Sequence, residues 1–285
     1  MERLRLAIQK KGRLNEKSIE LIKKCGIKIN SSGNILSTSS ENFPIDVLFL
    51  RDDDIPGYIA DGVADIGIVG QNEIDEHGAN VKIIENLGFA KCRLSIAVPR
   101  DTTYRNINDL QGKTIATSYP NILQAYLDKN NLNAEIHTIS GSVEIAPAIG
   151  LTDAICDLVS TGSTLLFNGL IEVEEIYTSA AVLAATPFLT ENKQRIVDKF
   201  MQRISSVKHA NAYKYILLNA PNKKIKDIIK ILPGIKSPTV MPLAIDGWSS
   251  IHTVIPEDAF WEKINELKQY GAEGILVTPI EKIIE

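Results

Sequence analysis

Apolar and polar positions along the first half of the chain switch repeatedly between a strand period and a helix period. Residues 4–8 form an apolar run bounded by charge, which predicts a buried strand. Residues 15–25 then carry apolar side chains at helical spacing, with Asn15 placed to cap the start and Gly26 to end the helix. Further strands are predicted over 45–50 and 65–69, a short helix over 55–61 with Pro56 in its first turn, and a helical stretch over 72–77. Strands over 94–98, 114–116 and 154–159 continue the series. Such alternation predicts open, largely parallel sheets covered by helices, with ligands at the carboxyl ends of the strands.

One segment has an echo. Gly62-Val63-Ala64-Asp65 leads into the apolar run 66–69 and Gly70, and Gly150-Leu151-Thr152-Asp153 leads into 154–159 and on to Gly162. Two lobes of similar construction around a shared cleft would produce this repeat, although helix–Gly–Asp–strand is also a frequent α/β connection. A long amphipathic stretch, 190–211, then precedes a change of character. Strand 214–219, a helix over 222–232 with Ile225, Ile228, Ile229 and Leu232 on one face, strands 239–243 and 250–255 around an Asp246-Gly247 turn, a helix over 258–269 ended by Gly271, and strand 274–278 follow. That order, βαββαβ, is the ferredoxin-like split motif.

Composition narrows the function. The chain has 285 residues, 44% hydrophobic and 23% charged, as in an ordinary globular protein with a sizeable core, and length alone suggests two domains or three. A net charge of −4 gives no support for a nucleic-acid or anionic-membrane partner, so any phosphate site must use local cations and backbone amides. Cys25, Cys92 and Cys156 are far apart and without metal spacing, as expected of free thiols in a reducing compartment, and His77, His137, His209 and His252 do not cluster into a zinc site. Residues 1–14 hold no apolar core of signal-peptide length, and the apolar stretch 180–189 is interrupted by Thr186 and Pro187. A cytoplasmic location is expected.

The segment 153–165 carries the most chemical information. A buried strand ends in Ser160-Thr161-Gly162-Ser163-Thr164 and a helix restarts. Small residues in such a turn leave backbone N–H groups and hydroxyls facing outward above the positive end of the helix dipole, a phosphate cradle built without lysine. An ordinary capped helix fits a lone S-T-G-S-T as well. Asp157 shifts the balance, because a carboxylate inside an apolar strand needs a partner or a function. Asp153, at the strand's start, is the other acidic candidate for ribose hydroxyls. The loop Gln9-Lys10-Lys11-Gly12-Arg13 also follows a strand, and its cations suit a pyrophosphate, with Arg13 able to form a bidentate fork. Asp52-Asp53-Asp54 reads as a helix cap and dipole complement, not a metal site. Tyr119 ends a strand where a ring can stack on a base or simply pack.

Taken together, these segments resemble the long-form ATP phosphoribosyltransferases over nearly the whole chain. The matching stretches include LRLAIQKKGRLNEKSIELIKKCGIKIN, FPIDVLFLRDDDIPGYIADGVADIGIVGQN, GSVEIAPAIGLTDAICDLVSTGSTL, SPTVMPL and GAEGILVTPIEKII. The one departure is the stretch 72–86, shorter than in some similar chains. The resemblance implies a periplasmic-binding-protein-like catalytic body, with lobe I over 1–93 plus about 179–210 and lobe II over 94–178. A ferredoxin-like regulatory domain over 211–285 completes it. It implies transfer of the phosphoribosyl group of phosphoribosyl pyrophosphate to N1 of ATP, with Mg²⁺ held mainly by substrate. Ser160, Thr161, Gly162, Ser163 and Thr164 would hold the 5-phosphate, and Asp153 or Asp157 would face the ribose. Gln9, Lys10, Gly12 and Arg13 would line the pyrophosphate or ATP phosphates. Gly70, Gln71 and Tyr119 would form the adenine side, and Glu144 would contact ribose or magnesium. Feedback inhibition by histidine at Leu217, Asn219, Thr239 and Leu243, and a homo-oligomer of dimers or hexamers, are implied as well. The rival readings are a two-lobed solute-binding or effector-sensing protein and a catalytically silent regulatory subunit. Without a signal peptide, a helix-turn-helix segment or basic charge, the first is disfavoured. The second is disfavoured by the intact S-T-G-S-T turn.

Overall fold

Strands made almost wholly of Ile, Val, Leu and Ala need cover on both faces. In the computed structural model, which describes residues 2–30 and 35–284, they have it. The chain opens with β1 (Leu4–Gln9), α1 (Arg13–Lys24), β2 (Ser37–Ser39) and β3 (Ile45–Leu50). It continues through α2 (Ile55–Ala60), β4 (Ile66–Gly70), α3 (Gln71–His77) and β5 (Lys82–Asn86). It then enters a second sheet with β6 (Cys92–Pro99), β7 (Thr114–Thr117), α4 (Pro120–Lys129), β8 (Glu135–Thr138), β9 (Ala154–Val159), α5 (Ser163–Phe167) and β10 (Leu170–Ser179). Directly afterwards β11 (Ala181–Ala185) rejoins the first sheet.

The first sheet has the order β2-β3-β1-β4-β11-β5 and the second β10-β6-β9-β7-β8. In each, three parallel strands (β3-β1-β4 and β8-β7-β9) are followed by an antiparallel strand, β11 or β6. The two lobes are thus built alike, and the echo read in the sequence is a structural repeat: Asp65 precedes β4 and Asp153 precedes β9, the third parallel strand of each lobe. Burial follows the pattern. Ile55, Ile59, Ala64, Val69 and Ile74 pack one face of the first sheet. In the second sheet, Leu94, Ile96, Ile115, Leu123 and Cys156 pack one face and Val143, Ile155, Val159 and Leu165 the other.

Some expectations differ from the structure. The first helix begins at Arg13, not Asn15, and Asn15 instead donates from Nδ2 to the Gln9 carbonyl at 2.5 Å, tying down the loop before it. The strands β2, β5, β8, β10 and β11 were not anticipated. In β10 the alternation LIEVEEIYTS is broken by irregularities between Glu172/Glu174 and Glu175/Tyr177, which hide the strand period.

The chain divides into two compact units, 1–23 with 27–196, and 24–26 with 197–285. The division falls at Val197, inside α6 (Glu191–Ala212). The second unit holds β12 (Tyr213–Pro221), α7 (Ile225–Ile231), β13 (Thr239–Pro242), β14 (Trp248–Pro256), α8 (Glu257–Gln269) and β15 (Glu273–Pro279). Its sheet runs β13-β14-β12-β15, antiparallel throughout, the ferredoxin-like order. Ile216, Leu218, Ile228, Leu232, Ile251, Phe260 and Leu267 form its core. Among the described residues, no helix is long and apolar enough to cross a membrane.

Candidate functional site

The carboxyl ends of β1, β4 and β9 turn toward one cleft between the lobes. A cavity of about 350 Å³ there is lined from lobe I by Gln9, Gly12, Arg13, Asp52 and Glu73, and from lobe II by Ser160 among others. A second cavity, about 660 Å³, is lined by Glu76, Ser118, Tyr119 and Gly141. Asp52 and Glu73 line both.

The β1–α1 loop supplies the cations. Gln9 Nε2 donates to Asp52 Oδ2 at 2.9 Å, and Lys10 donates its backbone N–H to the Leu50 carbonyl at 2.7 Å. Lys10's ammonium pairs with no described residue. Gly12 has φ +96, a conformation that a side chain resists. Arg13, the first residue of α1, reaches across the cleft to bring Nη1 within 3.4 Å of Ser160 Oγ.

On the facing lobe, Gly162 caps α5 with φ +79, and no side chain caps the helix. The Ser160, Thr161 and Ser163 hydroxyls are therefore not used up as an ordinary helix cap would use them. Thr161 Oγ1 and Ser163 Oγ lie 3.1 Å apart. The α5 ladder starts with Leu166 donating to the Gly162 carbonyl at 3.2 Å, so the N–H groups ahead of it lack intrahelical partners.

The two acidic candidates separate. Asp157 lies within β9, half-buried on the face shared with Ile155 and Val159, and its Oδ1 accepts the Leu158 N–H at 2.7 Å. Burial pushes its carboxyl above the usual range, the Leu158 bond opposes this, and the negative charge of Glu144 adds to the rise. Glu144 lies in a single 3-10 turn (Val143–Ile145). Asp153 is not brought to the cradle. It sits at the opposite end of β9, about 23 Å from Ser160 at roughly 3.3 Å per residue. There it accepts the Thr114 N–H at 3.0 Å and the Lys113 ammonium at 3.1 Å. Asp65 does the same in lobe I, accepting the Arg5 N–H at 2.8 Å.

Gly70 caps α3, and a Cβ there would meet Asn72 Oδ1 at 2.4 Å, so a side chain there would displace the Asn72 amide. Gln71 donates its N–H to the Ala180 carbonyl at 3.0 Å and its side chain turns to Asp75. Tyr119 Oη donates to Glu73 Oε1 at 2.9 Å across the cleft. Sequence reasoning missed Asp52 as a cleft residue, having read it as part of a helix cap, and missed Glu73 altogether. Among the described residues, no group of three His, Cys, Asp or Glu stands ready for a metal ion.

In the second unit, Thr239, His252, Leu217 and Leu276 form one row across the four strands. A cavity of about 430 Å³ beside it is lined by Thr239, Tyr215, Ser237, His252 and Thr253. Leu217, Asn219 and Leu243 do not line it.

Two like-built lobes, with ligand-facing loops at the carboxyl ends of strands from both, define an α/β fold like that of solute-binding proteins. Solved structures agree. The substrate-binding protein of an amino acid ABC transporter superposes with TM-score 0.50 at 14% identity, covering 73% of this chain and 93% of its own, a likeness of fold alone. The family model described as ATP phosphoribosyltransferase matches residues 51–206, and that described as HisG, C-terminal domain, matches 210–282. Proteins named ATP phosphoribosyltransferase from Cytophaga hutchinsonii and Phocaeicola vulgatus are 59% and 54% identical over 99% of both chains. The ATP phosphoribosyl transferase (HisG:HisZ) complex from Thermotoga maritima superposes with TM-score 0.61 at 31% identity, covering 71% of this chain and 96% of that one. The chain belongs to the ATP phosphoribosyltransferase family. It is an enzyme of the first step of histidine biosynthesis, acting on ATP and phosphoribosyl pyrophosphate.

Proposed function

We propose that the Ser160–Thr164 turn holds the 5-phosphate of phosphoribosyl pyrophosphate, that Asp157 with Glu144 meets the ribose, and that Arg13, with Gln9, Lys10 and Gly12, faces the pyrophosphate. The observation that carries this is the approach of Arg13 to Ser160 from opposite lobes, which places a guanidinium beside an uncapped small-residue turn. The geometry disfavours Asp153 for the ribose. Tyr119, which lines the larger cavity, is assigned to the adenine side; Gly70 lines the smaller cavity and Gln71 lines neither.

The reaction needs little acid–base machinery. As N1 of adenine approaches the anomeric carbon, positive charge grows on the sugar and negative charge on the departing pyrophosphate. The chain's contribution is to align the two substrates and to set cations and N–H groups where that negative charge appears. A Mg²⁺ would keep most of its ligands from pyrophosphate and water and would neutralise the leaving group, with Glu144 the residue of this chain proposed to meet it.

The second unit is proposed to bind histidine as a feedback inhibitor. The support is its 430 Å³ cavity beside Thr239, where the buried Thr253 hydroxyl has no hydrogen-bond partner. A homo-oligomer and a cytoplasmic location complete the reading. Pyrophosphate release with ATP, phosphoribosyl pyrophosphate and Mg²⁺, each omitted in turn and then with histidine added, tests it. Release that needs all three and falls with histidine is expected. Release indifferent to histidine would remove the regulatory assignment, and a chain lacking 211–285 that is still inhibited would do the same.

A further inference from the structure

Glu73 is only 6% exposed, yet it lines both cleft cavities, as does Asp52. The carboxylate is held unevenly. Its Oε1 accepts from Tyr119 Oη at 2.9 Å and from Asn72 Nδ2 at 2.7 Å, while Oε2 accepts from no described residue. Asn72 is itself fixed, its Oδ1 accepting from Ser179 Oγ at 2.7 Å and its N–H donating to that Oγ at 3.1 Å. The result is a rigid acceptor at the boundary between the compartment of Arg13 and Ser160 and the compartment of Tyr119 and Ser118.

The two substrates must meet at such a boundary. When N1 of adenine forms its bond to the anomeric carbon, the carbon–oxygen bond to pyrophosphate breaks and the electron pair leaves with that oxygen. The purine then carries positive charge, shared with the 6-amino group next to N1. An anionic acceptor for that amino group strengthens its hold as the charge develops, and it also turns N1 toward the sugar. We propose that Glu73 is a catalytic and specificity-determining residue, receiving the adenine 6-amino group on Oε2 and stabilising the charge that N1 attack places on the purine. This rests on the smaller cavity taking the phosphoribosyl group.

Glu73→Gln tests it. Tyr119 and Asn72 both donate to Oε1, so the amide oxygen stays with them and the amide N–H₂ replaces Oε2, setting donor against donor. The probe for comparison is purine ribonucleoside 5′-triphosphate, which keeps N1 and lacks the 6-amino group. The expected result is a fall in kcat/KM for ATP of about 10- to 100-fold, as for a buried polar site left mismatched. Inhibition by the purine analogue and the KM for phosphoribosyl pyrophosphate should change by less than about twofold, the size of a minor surface effect. Tyr119→Phe frees the carboxylate without removing it and should give a smaller loss, again selective for ATP. Equal losses for ATP and the analogue, in either variant, would reduce Glu73 to a structural link and overturn the proposal, as would unchanged ATP kinetics in Glu73→Gln. Arg13→Ala, assayed alongside, reports on the cavity itself: an unchanged KM for phosphoribosyl pyrophosphate there would withdraw the cavity assignment and the proposal with it.

Discussion

Asp153 and Thr114 clasp each other twice. The Asp153 N–H donates to the Thr114 carbonyl at 3.0 Å, and the Asp153 carboxylate accepts the Thr114 N–H at 3.0 Å. Asp65 and Arg5 repeat the pair in lobe I, at 2.9 and 2.8 Å. In both lobes an aspartate thus registers the start of the third parallel strand against the first. The Thr114 N–H and the Lys113 ammonium hold the Asp153 carboxyl below the usual range. A depressed folded value means that its stabilisation is present above about pH 4, the unfolded value, and is lost as pH falls through the folded one. Asp153→Asn should therefore lower stability near neutral pH, by less than about 1 kcal/mol because the side chain is 45% exposed, and the deficit should vanish in acid. Urea midpoints across pH check this. A large rise in KM for phosphoribosyl pyrophosphate would return Asp153 to the active site.

Arg13 Nη1 meets Ser160 Oγ across the cleft at 3.4 Å, and so it should report on a ligand bound there. Arg13→Ala should raise the KM for phosphoribosyl pyrophosphate by about 10- to 100-fold, the loss of a charge-assisted bond to phosphate. Arg13→Lys should recover only part, since an ammonium cannot reproduce the guanidinium fork. Initial-rate kinetics with each substrate varied in turn decide it, and full recovery by lysine would remove the bidentate role.

The fold was legible wherever burial was two-sided. Runs such as 45–50 and 66–69 can be little else than covered strands, and the glycines at 70 and 162 mark the turns that follow them. Beyond those strands, edges and pairings were hidden. The strand β10 faces lobe II with Ile171, Val173 and Ile176, but its two irregularities spoil the two-residue period. Asp153 and Asp157 look equivalent on paper, four residues apart on one strand. Only the strand's direction shows that one faces the cradle's end and the other does not. Glu73 was invisible for a related reason, since the groups that make it informative, Tyr119 and Ser179, are distant in the chain.

Asp157 carries the ribose assignment. Burial first, and Glu144 after it, raise its carboxyl above the ordinary range. Asp157→Asn should raise the KM for phosphoribosyl pyrophosphate by about 10- to 100-fold, the value of a hydrogen bond to a charged group, and that for ATP much less. In the unaltered enzyme the same KM should climb as pH falls toward the raised pKa, since protonation removes the acceptor. The asparagine enzyme should lack that acid limb. Equal losses for both substrates would sink the assignment.

The helix α4 takes its N-terminal cap from the other lobe. α4 begins at Pro120, and Tyr119 at its N-cap offers no side-chain bond. Because Pro120 has no N–H, the first two N–H groups of the helix, from Asn121 and Ile122, donate to the two carboxylate oxygens of Glu76 at 2.9 and 3.0 Å. Asn121 returns a bond from Nδ2 to the Glu76 carbonyl at 2.9 Å. Glu76 is 6% exposed, and its charge lies at the positive end of the α4 dipole. Glu76→Ala should cost about 1–3 kcal/mol, since two helix N–H groups lose their acceptor in a buried setting. Glu76→Gln should cost less, because one oxygen remains to accept. The check is a urea midpoint with an unchanged slope, which separates lost stability from a change in the unfolded chain. Because α3 carries Glu73 one turn before Glu76, the alanine variant should also loosen Tyr119 and raise the KM for ATP. An alanine enzyme as stable as the parent would mean that α4 takes its N-terminal partners from solvent and that the two lobes are not fastened here.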